Sequence, residues 1–361
     1  MIPITKPTLP DIRLYQRYIE EIWSRNWLTN NGPLVNELEL KLKDYLDVPH
    51  FLYLSNGTIA IQLAIKALGL KGGIITTPFS YVATTSSIVW ENCRPQFVDI
   101  DRETFNLDPR LIEQAITKDT TAILATHVYG NPCDVEAIAA IATKHNLKVI
   151  YDAAHCFGTL YDGKSVFNYG DISTTSFHAT KLFQTVEGGA VFTQDAETLS
   201  RLASMRNFGH DGPDVFAGVG INGKNSEFHA AMGLANLPKV DQVLAKRKAD
   251  HLRYDALLHS LKLQKPKIAE KATYNYCYYP VVFPTQEMTE LVFRRLKENE
   301  IFARRYFYPV LSSLNYVDAV SMPVAEDIAE RVLCLPIYET ISAEEIDLVS
   351  RLVIRTVKYG R

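Results

Sequence analysis

Cysteine is scarce in this chain, and Cys93, Cys133, Cys156, Cys277 and Cys334 stand far apart, form no CxxC pair and are odd in number. That spacing argues against a disulfide framework and a cysteine-built zinc site. Reduced structural thiols are expected, with no resident metal. No run approaches the roughly 18 apolar residues of a membrane span, and Met1–Pro7 lacks the basic start and apolar core of a signal peptide. The expectation is a cytoplasmic protein with no membrane partner. Charge of one sign is missing too: the formal net charge is −3, which gives no global attraction to nucleic acid. No nucleic-acid partner is expected, and any phosphate binding has to be local. No GxGxxG follows the first strand-like run, against a nicotinamide enzyme, and no internal repeat or low-complexity segment is present.

What is present is an ordinary globular composition over 361 residues, 47% hydrophobic and 22% charged. That length suggests two domains. Short β-branched runs at Gly73–Thr76, Gln96–Asp99, Thr121–Ala125 and Leu147–Tyr151 alternate with helical spacing at Pro109–Ile116 and Val135–Ala142. This alternation predicts an α/β domain with a mainly parallel sheet covered by helices. Phe228–Leu237 and Asp241–Tyr254 read as long helices with a polar face, and a strand-like run at Tyr274–Phe283 opens a smaller α+β region. The expected division is 1–240 for a large domain and 241–361 for a small C-terminal one.

Three groups point to pyridoxal phosphate. Gly57 allows close backbone approach and Thr58 begins a helix, so free amides at that helix start face an anion; a plain cap by Asn56 or Thr58 is the ordinary alternative. Asp152 follows the apolar Val149-Ile150 and falls at the C-terminal edge of the sheet, where it can hold a pyridine nitrogen protonated. A cap on the next helix is the equally ordinary use of such a carboxylate. Lys181 lies in a short polar segment between Ser173–Phe177 and Gly188-Gly189 rather than on a charged helical face, as an amine able to form a Schiff base does. A lone lysine is more often a solvated surface group. Ser176 adds a hydroxyl for a phosphate, and Tyr81 is placed either in the core or stacked on a cofactor ring. His155 and His178 are candidates for cofactor or substrate contact, with a structural histidine as the default there and at His127. Arg305, Tyr306 and Tyr308 are candidates for the substrate wall.

Taken together, Ser176-Phe-His-Ala-Thr-Lys181, Tyr151-Asp-Ala-Ala-His155 and Ser55-Asn-Gly-Thr58, with Phe97–Asp101, Thr104–Pro109, His127–Gly130 and Gly220–Glu227, resemble the DegT/DnrJ/EryC1/StrS family of sugar aminotransferases. The resemblance covers nearly the whole chain. It implies the type I aspartate aminotransferase fold, with a mainly parallel seven-stranded sheet. It also implies that Lys181 joins pyridoxal 5′-phosphate covalently, Asp152 pairs with the ring nitrogen, Tyr81 stacks over the ring, and Gly57, Thr58 and Ser176 hold the phosphate. His155 stands where many members have glutamine beside the cofactor 3′-oxygen, and His178-Ala179 replaces a tyrosine-proline pair. Asn222 matches the asparagine that reaches the phosphate from a neighbouring subunit, which implies a homodimer with shared sites. The implied substrates are L-glutamate and a nucleotide-linked keto-deoxysugar. Trp27–Pro33 and the histidine version of the lysine motif favour dTDP-4-keto-6-deoxy-D-glucose, with 3-keto isomers and other nucleotides as alternatives. A sugar dehydratase on the same scaffold carries histidine at the position of Lys181, so the lysine argues for amino transfer. A non-catalytic regulator that binds the cofactor or a sugar nucleotide remains the alternative from another class.

Overall fold

Helices and strands alternate along the chain as the apolar spacing requires, and the computed structural model describes residues 1–360. Two helices, α1 (Ile12–Arg25) and α2 (Pro33–Tyr45), lead into β1 (His50–Leu54) and α3 (Gly57–Ala67). Next come β2 (Gly72–Thr76), α4 (Val82–Trp90), β3 (Cys93–Phe97), α5 (Ile112–Ala115), β4 (Thr120–Thr126), α6 (Val135–His145) and β5 (Lys148–Asp152). The hairpin of β6 (Leu160–Tyr161) and β7 (Lys164–Ser165) precedes β8 (Ile172–Ser176), β9 (Gly189–Thr193), α7 (Ala196–Arg206), α8 (Glu227–Asn236) and α9 (Val240–Leu258). The C-terminal part contains β10 (Ala272–Thr273), β11 (Tyr279–Val282), α10 (Gln286–Glu298), α11 (Pro323–Arg331), β12 (Val332–Leu335) and α12 (Ala343–Tyr359).

Seven strands form one sheet in the order β1-β9-β8-β5-β4-β2-β3. Pairings from β3 through β2, β4 and β5 to β8 are parallel, while β9 runs against both β8 and β1. The fold is therefore α/β with a mainly parallel seven-stranded sheet. Because side chains alternate across a strand, Ile74, Leu124, Ile150 and Ile172 pack on one face against Ala60 and Ala64 of α3. Ile75, Ile123 and Val149 pack on the other against Val135 and Ile138 of α6. Both faces are covered, and parallel pairing brings the ends of β1, β5 and β8 to one edge. Open α/β sheets bind their ligands at that edge.

A second core lies around the antiparallel pair β11 and β12, where Val281 and Leu333 meet Val292 and Leu296 of α10 and Val349 and Val353 of α12. Tyr254 near the end of α9 and Ile2 at the chain start join the same cluster. Ile2 is tied there by its amide, which donates to the Glu300 carbonyl at 2.8 Å. All five cysteines are free and buried. Among the described residues no helix is long and apolar enough to cross a membrane.

One buried charge locks the N-terminal helices to the rest. Glu227, fully buried at the start of α8, accepts hydrogen bonds from the amides of Leu34 and Val35, each at 2.9 Å. The carboxylate thus serves as the cap of α2, whose preceding Gly32 offers no side chain for that role. A Cβ on Gly32 would come within 2.5 Å of the Glu227 carboxyl carbon, so glycine is what allows the approach. Glu227→Gln keeps the shape and removes the charge; it should cost about 2–3 kcal/mol of stability, read as a lower denaturant midpoint at unchanged slope. An unchanged midpoint would show that α2 finds its cap elsewhere.

Candidate active site

At the carboxyl edge of the sheet lies a cavity of about 510 Å³, lined in part by Gly57, Thr58, Tyr81, Asp152, His155, Ser176 and Lys181. Seven of the eight residues expected at the site are thus brought together from β1–α3, the start of α4, β5 and β8–β9. Asn222 does not line this chain's own cavity. It sits in the extended stretch between α7 and α8, bridged to Asn207 and exposed.

The turn after β1 is shaped for an anion. Asn56 Oδ1 accepts from the Ile59 amide at 2.8 Å, which leaves the first amides of α3 without intrahelical acceptors. A Cβ on Gly57 would meet the Ser176 Cβ at 2.9 Å, and one on Gly189 would meet the Asn56 carbonyl carbon at 2.3 Å. These two glycines let the helix start, the end of β8 and the start of β9 converge on one point.

Asp152, 5% exposed, is held from two sides. Its Oδ1 accepts from the Ala154 amide at 3.1 Å and its Oδ2 from Thr84 Oγ1 at 2.6 Å. Behind Thr84 runs a buried chain of hydroxyls: Thr84 lies 2.8 Å from Ser80 Oγ, which accepts from Thr126 Oγ1 at 3.0 Å. With the donors pointing one way, each hydroxyl hands a hydrogen bond on and the last is spent on the carboxylate. The sequence pattern does not reveal this row of hydroxyls, because Ser80 precedes the cap of α4 while Thr84 lies in its first turn. His127, fully buried behind the strand ends, stacks on Tyr151 at 4.5 Å and accepts from the Cys133 amide at 3.0 Å. Burial pushes its pKa down to about 3, so it stays neutral. That is the structural histidine expected there.

Lys181 is carried by the tight loop between β8 and β9. The Phe177 amide donates to the Gly188 carbonyl at 2.7 Å and the Ala179 amide to the Val186 carbonyl at 2.8 Å. Buried Phe177, Leu182 and Phe183 anchor the loop on either side of the lysine. Loss of hydration lowers the Lys181 pKa below its ordinary value, and the negative charge of Asp152 partly restores it. A larger share of neutral amine results, the form that attacks an aldehyde. His155 stacks in parallel on Phe307 at 5.7 Å and meets Tyr278 edge-on at 5.0 Å. Burial and the nearby Lys181 charge hold its pKa well below the ordinary imidazole value, and its Nδ1 finds no partner among the described residues. An orphaned buried nitrogen, an amine, an anchored carboxylate and a helix start with its first amides free are a set that fits a pyridine ring with an oxygen substituent and a phosphate.

The opposite wall departs from expectation. Tyr306 lines the cavity, but Arg305 and Tyr308 do not. Arg305 instead donates to the Glu330 carbonyl at 3.1 Å and lies 3.7 Å from the Tyr308 ring centre. Arg304 and Phe307 take their place at the wall. Alternation along an extended segment turns adjacent arginines to opposite sides, a distinction their sequence adjacency hides. His178 also lines the cavity, with Nε2 3.6 Å from Glu187 Oε1 and Nδ1 2.8 Å from Thr180 Oγ1.

Comparison with known proteins matches residues 12–353 to the DegT/DnrJ/EryC1/StrS aminotransferase family. The chain is 43% identical to the dTDP-4-amino-4,6-dideoxy-D-glucose transaminase of Shigella dysenteriae, over 98% of each chain. It is 33% identical to a GDP-perosamine synthase of Escherichia coli O157:H7, over 96% of this chain and 95% of that one. Among solved structures it is similar to DesI, described in the presence of its TDP-sugar product, with a TM-score of 0.94 and 32% identity over 100% of this chain and 94% of the other.

Proposed function

The chain belongs to the DegT/DnrJ/EryC1/StrS aminotransferase family and is a sugar aminotransferase, and from that premise we propose that it uses pyridoxal 5′-phosphate to move the amino group of L-glutamate to a nucleotide-linked keto-deoxysugar. The acceptor is dTDP-4-keto-6-deoxy-D-glucose and the product dTDP-4-amino-4,6-dideoxy-D-glucose. The observation that carries this reading is a single cavity faced by an amine with a lowered pKa, a carboxylate held by two hydrogen bonds and a helix start with free first amides. The identity to the Shigella dysenteriae transaminase supports the choice of acceptor.

When bound, the cofactor supplies an electron sink that lets the carbon bearing the amine lose and regain a proton. Lys181 Nζ provides the covalent anchor and, once the amino donor displaces it, carries the proton from the donor α-carbon. The same amine returns a proton at the former ketone carbon of the sugar in the second half of the cycle. With the cofactor bound, Asp152 would keep a proton on the ring nitrogen, Gly57, Thr58 and Ser176 would take the phosphate, Tyr81 would cover one ring face, and His155 would meet the ring oxygen. The division of labour follows 1–240 for cofactor binding and 241–361 for the opposing wall. Donor and acceptor use one cavity in turn, so the kinetics are ping-pong. The test is to incubate the purified holoprotein with L-glutamate and a panel of 3-keto and 4-keto sugar nucleotides, identifying products by mass and NMR. Absence of 2-oxoglutarate with every acceptor overturns amino transfer, and exclusive turnover of a 3-keto sugar overturns the acceptor.

The active unit is a homodimer in which Asn222 serves the partner's phosphate. Its surroundings support this: Phe208, Val215, Phe216 and Val219 on the same stretch are each at least half exposed, apolar surface that a second copy would cover. Mixed and re-equilibrated Lys181→Ala and Asn222→Asp variants, each inactive alone, should recover about one quarter of wild-type activity, because half of the dimers then carry one intact site. No recovery, despite exchange shown by mass spectrometry, places Asn222 in its own subunit's site or in none.

A further inference from the structure

Arg304 faces the cavity of about 510 Å³ that Lys181 lines, whereas Arg247, buried at the small adjoining cavity, donates to the Cys277 and Ile337 carbonyls. The Arg304 backbone is fixed by a reciprocal pair of hydrogen bonds with Cys334 of β12, at 3.1 and 2.8 Å. Its guanidinium lies 5.6 Å from the Tyr306 ring centre, and among the described residues it has no acidic partner. Tyr306 is itself pinned, since its carbonyl accepts from the Tyr129 hydroxyl. The acids that line the same cavity are engaged elsewhere: Asp152 with Thr84 and the Ala154 amide, Glu187 opposite His178. Lys181 is committed to the reaction. The cavity therefore presents an uncompensated cation at its exposed rim, and an aromatic face steadies such a group without neutralising it.

We propose that Arg304 is the anchor for a carboxylate of the amino donor in the first half of the cycle. The inference rests on the amino-transfer reading above and names the residue that holds the donor. A guanidinium fork matches a carboxylate in two parallel hydrogen bonds. An amino acid carries one carboxylate on the reacting carbon itself and, in glutamate, a second a short chain away, so both remain inside the chamber of Lys181. The diphosphate of a sugar nucleotide lies a whole hexose ring away from the reacting carbon. When the donor leaves, the cation is free again, and a keto sugar can enter without displacing a protein ion pair.

The test compares the holoprotein with Arg304→Gln, Arg304→Lys and Arg305→Gln. It measures glutarate affinity by calorimetry and the KM values for glutamate and for the sugar nucleotide, with circular dichroism as the check of folding. Arg304→Gln should weaken glutarate binding and raise the glutamate KM about 10- to 100-fold while leaving the sugar nucleotide KM unchanged. Arg304→Lys, which keeps the charge but not the fork, should fall between, and Arg305→Gln should match the wild type. Unchanged glutarate affinity in both Arg304 variants overturns the proposal. So does a rise confined to the sugar nucleotide KM, which would give the guanidinium to the diphosphate. Glutarate binding that depends on Arg304 in a protein releasing no 2-oxoglutarate sustains the carboxylate site and overturns the amino-transfer reading instead.

Discussion

Lys181→Ala should abolish amino transfer from glutamate, a loss of at least about 10⁴-fold, because the proposed reaction asks one side chain for both the covalent anchor and the travelling proton. No neighbour substitutes for it. His155 is kept neutral by burial and by the lysine charge, and its ring is fixed against Phe307. His178 points its nitrogens at Thr180 and Glu187. Lys181→Arg should be equally inactive, since a guanidinium keeps its proton at any pH the protein tolerates and has no neutral amine to offer. Borohydride reduction of the wild type should leave a stable label on Lys181, found by peptide mass spectrometry, and the alanine variant should leave none. A small amine added to the alanine variant should restore part of the proton transfer but not the covalent anchor. Turnover at the wild-type rate without the label would remove Lys181 from the mechanism.

The sheet was legible because its strands are buried on both faces. The runs at 73–76, 121–125 and 147–151 fall within or one residue from observed strands, and the spacing at 135–142 is α6. The expected strand at Gln96–Asp99 ends two residues early because the Asp99 carboxylate is drawn to a helix start. It accepts from the amides of Val324 and Ala325, each at 2.9 Å, as the cap of α11. The run Tyr274–Phe283 pairs only at Tyr279–Val282. Ahead of it Asn275 donates to the His155 and Phe157 carbonyls and Tyr276 takes a positive φ, so cross-chain hydrogen bonds override the alternating pattern. At the site, Lys181, Asp152 and Gly57 could be read because each stands beside a strand end or a helix start that local pattern marks. Glu227, Arg304 and the hydroxyl chain behind Asp152 act across gaps that no local period encodes. Glu227 caps a helix 193 residues away, and Thr84 meets Asp152 across 68.

Asp152→Asn should slow the glutamate half-reaction by about 10²- to 10⁴-fold with little change in fold, since the amide keeps the shape and loses the charge. Thr84 can still donate to the amide oxygen, but the Ala154 amide then faces an NH₂ group or a flipped carbonyl, and neither holds a proton on a pyridine nitrogen. The same substitution acts on the lysine. Asp152 raises the Lys181 pKa against the opposing effect of burial, so removing its charge moves the amine's titration to lower pH, and the rising limb of the pH profile should shift in that direction. Thr84→Val leaves the carboxylate charged while removing the hydrogen bond at 2.6 Å. It should cost about tenfold, the low end of the roughly 1.5–3 kcal/mol of a charge-assisted bond, and should leave a hydroxyl pair, Ser80 with Thr126, stranded behind it. The order wild type, Thr84→Val, Asp152→Asn in single-turnover rate is what a carboxylate held in place by a buried hydroxyl chain requires. If Asp152→Asn and Thr84→Val fall together, the carboxylate acts through its position alone and the ring nitrogen takes its proton from elsewhere.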